Sequence, residues 1–245
     1  MKMSCFMIAA MVFTATMTSC RQSIPPTGQI TPPTAVTGSV KLEGVAPLMK
    51  IINRGVVGNV AALPPLKEET VVVGPMNELA NVVVSINAEP GIRLPENSPK
   101  NPAVLTIIGC RFEPRIVAMQ VGQELHSKNT DHLLHNVHSL AEINDSFNVA
   151  QASIGEVKVK SPKEPECIKV KSDVYPWMTA WIVVLDNPFF AVTDKNGCFT
   201  LPKGLPDGDY TLHVWHEKLG EQDLKITVKD DTSEPIAIKI KSETK

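Results

Sequence analysis

Residues 167–178 read CIKVKSDVYPWM, and the alternation of residue types in this stretch sets the expected fold. Successive side chains of a β-strand point to opposite faces. Ile168, Val170 and Ser172 therefore share one face, whereas Cys167 and the two lysines point the other way. A proline-containing loop follows, and then the apolar, β-branched stretch TAWIVVL. The stretch predicts one strand, a tight loop and a second strand.

The composition of the rest of the chain also favours β structure. It has 245 residues with a formal net charge of -2, few aromatic residues, and 20 prolines and 14 glycines between short β-branched segments. No helical period of convincing length is present, and many short strands with Pro/Gly turns are typical of a sandwich or barrel. Acidic and basic residues are well mixed, which argues against a nucleic-acid partner.

The first 20 residues are typical of an export signal. Lys2 is the basic residue, Phe6–Phe13 is apolar, and MTSC at residues 17–20 resembles a bacterial lipobox. The segment is too short to span a bilayer. The lipobox resemblance implies cleavage before Cys20 and lipidation of its thiol, hence a lipoprotein held at the periplasmic side of a membrane; an ordinary signal peptide is the alternative. Residues 21–36 are rich in proline and form a tether.

The mature chain is predicted to be a succession of short strands. Residues 87–103, with four prolines, are typical of a boundary loop. The expected strands before it are Gly38–Glu43, Glu69–Val73 and Leu79–Ile86. Those after it are Val104–Ile108, Arg115–Val121, His132–Ser139, Ile168–Val170, Trp181–Leu185, Cys198–Leu201, Tyr210–Trp215 and Asp223–Val228.

A first resemblance covers Thr193–Val214, TDKNGCFTLPKGLPDGDYTLHV. The pattern Thr-Asp-x-x-Gly-x-Phe-x-Leu followed by Leu-Pro-x-Gly-x-Tyr-x-Leu is similar to the second half of carboxypeptidase-regulatory-like domains. The resemblance implies a small transthyretin-like or immunoglobulin-like sandwich. Its first half is matched by Gly38–Val40 and Ala80–Val84, about a hundred residues earlier.

A second resemblance fills that gap. Residues 112–136, FEPRIVAMQVGQELHSKNTDHLLHN, resemble the front of a cupredoxin, and CIKVKSDVYPWM resembles its ligand loop. We therefore expect an all-β chain, in which a cupredoxin-like Greek-key domain at 104–186 is inserted in a sandwich split between 37–103 and 187–243. The combination resembles exported plastocyanin-like or methylamine-utilisation proteins.

The cupredoxin resemblance implies where copper ligands would stand. The family pattern is an early His followed by Cys-x-x-His-x-x-Met, which falls here on His135, Ser172, Tyr175 and Met178. A type 1 copper site needs a thiolate and two imidazoles with a weak axial thioether. His135 and Met178 are remnant ligands, whereas Ser172 and Tyr175 stand at degenerate positions. Cys167 lies five residues before Ser172, on the opposite strand face, and is a poor substitute.

Other ligand sets are also compatible with the sequence. His135 and His138, with or without His216, form a candidate Cu(II) or Zn(II) site that needs no thiolate. Cys110, Cys167 and Cys198 leave room for one disulfide and one free thiol, without indicating the pairing. The prediction of a degenerate site also carries a condition, because a thiol within bonding range of the His135 ring would restore an electron carrier as the leading hypothesis.

The functional hypothesis is a lipid-anchored scaffold. No nucleophile elbow, phosphate loop or dinucleotide motif is present, so no enzyme is expected. The predicted protein is a cell-envelope lipoprotein with a degenerate type 1 site and no cofactor, which binds an envelope protein or a polysaccharide. The alternative is a periplasmic copper-binding or electron-transfer protein with non-standard ligands.

Overall fold

The computed structural model describes residues 35–55, 63–88, 94, 99–229 and 234–242. Within these residues the chain forms strands and turns, with no helix, so none is long and apolar enough to cross a membrane. The prediction of an all-β chain is confirmed. The signal, Cys20 and nearly all of the tether lie outside the described residues.

The described residues contain the following strands, in chain order: β1 (Thr37–Glu43), β2 (Ile51–Ile52), β3 (Leu66–Lys67), β4 (Val83–Ala88), β5 (Ala103–Ile107), β6 (Phe112–Glu113), β7 (Ile116–Gln120), β8 (Leu125–Asn129), β9 (His135–Leu140), β10 (Asn148–Gln151), β11 (Gly155–Val159), β12 (Glu166–Lys171), β13 (Thr179–Leu185), β14 (Phe190–Val192), β15 (Cys198–Thr200), β16 (Gly208–His216), β17 (Gly220–Val228) and β18 (Ile236–Lys241).

One sandwich uses strands from both ends of the described chain. Its sheets are ordered β15-β1-β18 and β14-β4-β16-β17, with β1 and β18 running parallel. Alternation sets its core, because Val40 and Leu42 in β1 are buried while their neighbours are not. Tyr210 and Val214 in β16 are also buried, as their shared strand face predicts. The predicted strand at residues 69–73 is wrong, because only an isolated bridge forms there, between residues 73 and 79.

The other sandwich consists of β5 to β13. Its sheets are ordered β10-β9-β12-β13-β7 and β11-β8-β5-β6, and both the β5–β8 and the β7–β13 pairs are parallel. In β12, Ile168 and Val170 are buried and Cys167 is exposed, as the alternation predicts. Its core also contains Cys110 and Met178, with residue 175 packed at its edge.

The two sandwiches share a buried interface of their own. Val83 of β4 packs with Ile116 and Val183 from the second sandwich, and the rings of Trp181 and Trp215 meet edge to face at 5.4 Å. A buried ion pair also joins residues 115 and 217 across this interface. The β6–β7 and β12–β13 loops of the second sandwich lie near the paired strands β2 and β3.

Candidate metal centre

The candidate centre begins with His135, the first residue of β9, whose side chain is 0% exposed. Its Nε2 atom lies 3.0 Å from Oδ2 of Asp131. An ionised carboxylate only accepts hydrogen bonds, so Nε2 carries the hydrogen and Nδ1 holds the lone pair. No group among the described residues bonds to Nδ1, although it is buried. Burial lowers the pKa of His135 and Asp131 opposes that shift, so a neutral ring is favoured.

Asp131 also fixes the loop that precedes β6. Its Oδ1 accepts the N–H of Gly109 and its Oδ2 that of Cys110, both at 2.8 Å. Gly109 and Cys110 have φ angles of 56° and 54°, in the left-handed region. This conformation turns successive N–H groups toward one anion, which here is the Asp131 carboxylate. The loop conformation therefore places Cys110 beside His135.

Cys110 is a free thiol that is only 1% exposed. One ligand atom from each of Cys110, Asp131 and His135 lies within 4.8 Å of the other two. Burial and the Asp131 carboxylate raise the pKa of the Cys110 thiol, and Arg54 opposes them. A thiol therefore stands beside the His135 ring, close to the arrangement that the sequence prediction named as favouring an electron carrier.

Sequence reasoning missed this role for Cys110 and considered the residue only for disulfides. Strand alternation says nothing about residues in loops, and Cys110 and His135 lie far apart in the sequence. The available signal was local: a Gly-Cys pair at the turn between β5 and β6, at the front of the domain. Cys110 and His135 can meet only if the β5–β6 turn and the start of β9 lie at the same end of the sandwich.

Ser172, at the family's thiolate position, is 3% exposed and uses all of its hydrogen-bonding capacity. Its hydroxyl donates to Oδ1 of Asn136 at 2.9 Å and accepts the N–H groups of Val174 and Tyr175, each at 3.1 Å. A serine hydroxyl has one hydrogen and two acceptor sites. Ser172 is therefore a structural residue that holds the loop in shape and has no lone pair left for a metal.

Tyr175 and Trp177 of the ligand loop connect His135 with the cysteine loop. The Tyr175 ring centroid lies 5.0 Å from that of His135 and 5.4 Å from that of Trp177. Trp177 donates from Nε1 to the carbonyl oxygen of Cys110 at 2.9 Å, which ties the ligand loop to the cysteine loop. Met178 is buried in the same core. Burial, together with the charges of the neighbouring thiol and carboxylate, raises the pKa of Tyr175, so the neutral phenol is favoured.

His138 and His216 do not join His135. Strand alternation places His138 on the opposite face of β9, where its Nδ1 lies 2.8 Å from Asp173. His216 ends β16 in the other sandwich, and its Nδ1 accepts the N–H groups of residues 218 and 219. The three histidines that the sequence suggested as one site are therefore separate, and that prediction is wrong.

The cysteine question left open by the sequence is answered in part. Cys110 and Cys167 are both free, so no disulfide joins them. Cys167 is exposed on the face of β12 that points away from the core, and it plays no part in the centre.

Comparison with known proteins gives distant structural likenesses and nothing closer. No family model and no curated protein matches the chain. Among the similar solved structures is the Cu-containing nitrite reductase (NirK) from Thermus scotoductus SA-01, at 15% identity and a TM-score of 0.33 over 40% of this chain and 25% of that chain. The purple cupredoxin from Nitrosopumilus maritimus matches at 18% identity and 0.30 over 34% and 99%. A mutant of amicyanin in its Cu(I) form matches at 17% and 0.32 over 42% and 98%. At these values no residue role or activity is carried over.

Proposed function

We propose that this chain is a cell-envelope lipoprotein of blue-copper ancestry that acts as a non-redox binding or scaffold module. In this proposal the second sandwich keeps a cupredoxin-like frame without a working type 1 centre. The single observation that carries the proposal is the hydrogen bonding of Ser172, which stands where the family has a thiolate. Its hydroxyl makes three hydrogen bonds within the protein.

The chemistry of the other family positions supports the same conclusion. A type 1 centre needs two imidazoles and a thiolate, with a weak axial thioether. His135 and Met178 supply one imidazole and one thioether. Tyr175 would have to ligate as a phenolate, and its raised pKa opposes that form. The residues at the four family positions do not fit a type 1 copper ion.

The thiol beside His135 does not by itself restore an electron carrier. Cys110 reaches the ring from a different loop, and its raised pKa favours the protonated thiol while no metal is bound. The cluster that it forms with Asp131 and His135 holds one imidazole, whereas a type 1 centre requires two. The electron-carrier hypothesis therefore stays behind the scaffold hypothesis, and copper addition decides between them.

The partner and the location belong to the proposal as well. Lipidation at Cys20 would hold the protein on the periplasmic side of a membrane, with residues 21–36 as a spacer. A cleft beside the ligand loop is lined by Arg111, Phe112 and Trp177 among others. Charged and aromatic groups side by side suit a polar envelope protein or a polysaccharide. No catalytic role is proposed.

Copper addition tests the non-redox proposal. The full chain, purified in detergent, is mixed with Cu(II) and separately with Cu(I) under reducing conditions. We expect no intense visible absorption and no reversible redox couple. A strong blue or purple band that disappears in a His135→Ala variant would overturn the proposal.

The anchor has its own test. Mass spectrometry of the mature N-terminus is expected to find diacylglycerol on Cys20, and a Cys20→Ser variant is expected to leave the membrane fraction. An unlipidated Cys20, or a Cys20 in a disulfide, would contradict the lipoprotein part alone.

A second candidate function is metal handling through non-standard ligands. It is favoured by the thiol of Cys110 beside His135, and no longer by His138. It predicts copper binding without blue colour, which is abolished by His135→Ala.

A further inference from the structure

We infer that Cys110, Asp131 and His135 form a binding site for one closed-shell divalent cation, and that Zn²⁺ is the ion their chemistry fits. This site lies between the cysteine loop and the start of β9. It uses neither Ser172 nor the other degenerate position, so the inference does not depend on the function proposed above.

The distances suit one ion. Zinc binds sulfur at about 2.3 Å and nitrogen or oxygen at about 2.0–2.2 Å, so two ligand atoms of one tetrahedral ion lie roughly 3.3–3.7 Å apart. The three side chains place their ligand atoms within 4.8 Å of one another, and the Asp131 Oδ2 to His135 Nε2 distance is 3.0 Å. Side-chain shifts of up to about 1 Å would bring all three into bonding range.

The ring nitrogen that faces Asp131 is Nε2, so an ion shared by Asp131 and His135 would bind there. The ion would take the place of the hydrogen between Nε2 and Asp131, and the hydrogen of the neutral ring would move to the buried Nδ1. The His135 side chain is 0% exposed and Cys110 is 1% exposed, so the ion would be enclosed by protein.

The donor set and its charge select the ion. A thiolate, a carboxylate and a neutral imidazole balance a charge of +2, which makes the loaded site neutral in a buried position. Mg²⁺ and Ca²⁺ prefer oxygen ligands throughout, and Cu(I) prefers thiolates and thioethers. One sulfur, one nitrogen and one oxygen form a set that Zn²⁺ accepts.

Zinc in proteins commonly takes four ligands, so a water molecule would complete the set. The Tyr175 ring packs beside His135, with 5.0 Å between the ring centroids.

A purely structural role explains less. The hydrogen bonds of Asp131 to the Gly109 and Cys110 backbone would hold the loop with no metal present. That role accounts for Asp131, but it does not explain the buried thiol beside the ring. The two roles differ in metal affinity.

The test uses the full chain in detergent, reduced and stripped of metal with a chelator. Zn²⁺ is titrated by calorimetry, and Co²⁺ is added as a coloured substitute whose thiolate charge-transfer band reports sulfur ligation. The variants are Cys110→Ser and His135→Gln. The matched controls are Cys167→Ser, which removes the exposed thiol, and His138→Gln, which removes the imidazole on the other face of β9.

We expect one Zn²⁺ per chain and a thiolate-to-cobalt band. Each site variant should weaken zinc binding by more than about 10-fold, Cys110→Ser should also abolish the band, and the controls should bind like the parent. If a site variant does not fold, the unmodified chain decides the matter: Zn²⁺ should slow alkylation of Cys110 and leave that of Cys167 unchanged. Sub-stoichiometric zinc, equal affinity in the site variants, or preference for Cu(I) over Zn²⁺ in competition would overturn the inference.

Discussion

The hydroxyl of Ser172 lies 2.9 Å from Oδ1 of Asn136 and donates its hydrogen to it. Asn136 is the second residue of β9, directly after His135, and its Oδ1 also accepts the N–H of Asp173 at 2.9 Å. The loop after β12 is therefore tied to the strand that begins with the candidate metal ligand. The Ser172 hydroxyl therefore helps to hold this loop in shape.

Replacing Ser172 with Ala should destabilise the fold. The change leaves the N–H groups of Val174 and Tyr175 without their acceptor, and we expect a loss of about 1–3 kcal/mol in the free energy of unfolding. Urea denaturation measures it. Ser153→Ala, at an exposed position, is the control and should change stability by less than about 0.5 kcal/mol. Equal stability of the two variants would contradict the structural role of Ser172.

If the second sandwich has the proposed blue-copper ancestry, a two-residue change should create a coloured copper site. Ser172→Cys together with Tyr175→His supplies a thiolate and a second imidazole to a loop that already has His135 and Met178 nearby. We expect an intense visible band when copper is added, and none with Ser172→Cys alone. A colourless double variant that is folded would mean that the loop geometry is no longer that of a copper centre.

The ion pair between the two sandwiches should contribute strongly to the free energy of unfolding. Arg115 binds both carboxylate oxygens of Glu217, whose Oε2 also accepts the Trp181 indole N–H at 3.0 Å, and the charged side chains are 9% and 7% exposed. Glu217→Gln leaves a buried guanidinium without its counter-charge, so we expect a loss of about 3–5 kcal/mol.

Chemical denaturation of Glu217→Gln provides the measurement. The control is Glu113→Gln, which breaks the exposed pair with Arg111 and should cost about 0–1 kcal/mol. Similar losses of stability in both variants would contradict a larger contribution from the buried pair than from the exposed one.

The turn before β15 should accept no residue other than glycine. Gly197 has a φ of 69°, and an added Cβ would overlap the carbonyl oxygen of Val40. Left-handed φ alone costs about 1–2 kcal/mol, and the clash with backbone adds to it. We expect Gly197→Ala to lower the thermal midpoint well below that of Gly204→Ala, where φ is 97° and the space is open. Equal midpoints would contradict this view of the turn.

Acid should destabilise the first sandwich through His216. Burial, with help from Arg115 and against Glu217, lowers the pKa of His216 to about 4, whereas an unfolded histidine titrates at about 6.5. Between these values the unfolded chain binds the proton and the folded chain does not. The free energy of unfolding therefore falls as pH drops through this window, by up to about 3 kcal/mol.

Urea midpoints between about pH 7 and pH 4 test the prediction. His216→Asn keeps an acceptor near the Lys218 and Leu219 N–H groups and removes the titrating group. Its stability should vary less with pH than that of the parent chain. An unchanged slope would assign the acid sensitivity to other groups, such as His135.

The strand faces could be predicted because alternation is a local property. Ile168, Val170 and Ser172 are all buried, and Phe199 and Leu201 share a buried face as their spacing indicates. The structural role of Ser172 could be anticipated only in part. Its identity argued against copper, but its three hydrogen-bond partners depend on how the loop folds back on β9.

The contact between Cys110 and His135 could not be predicted from either residue. It depends on Asp131, which accepts hydrogen bonds from the cysteine loop and from the imidazole. Such a contact joins two loops through one carboxylate, and no periodicity in the sequence carries that information. The strand predicted at Glu69–Val73 failed for a similar reason, since its apolar residues pack against the core without a continuous partner strand.

The position of β1 has a mechanical consequence. It is the central strand of its sheet, between β15 and the parallel β18, and its first residue, Thr37, is the end nearest the N-terminus. Tension transmitted along the preceding residues would pull β1 lengthwise. Hydrogen bonds on both of its edges would then be sheared together instead of peeling open one at a time, so the domain should withstand considerable force applied along β1.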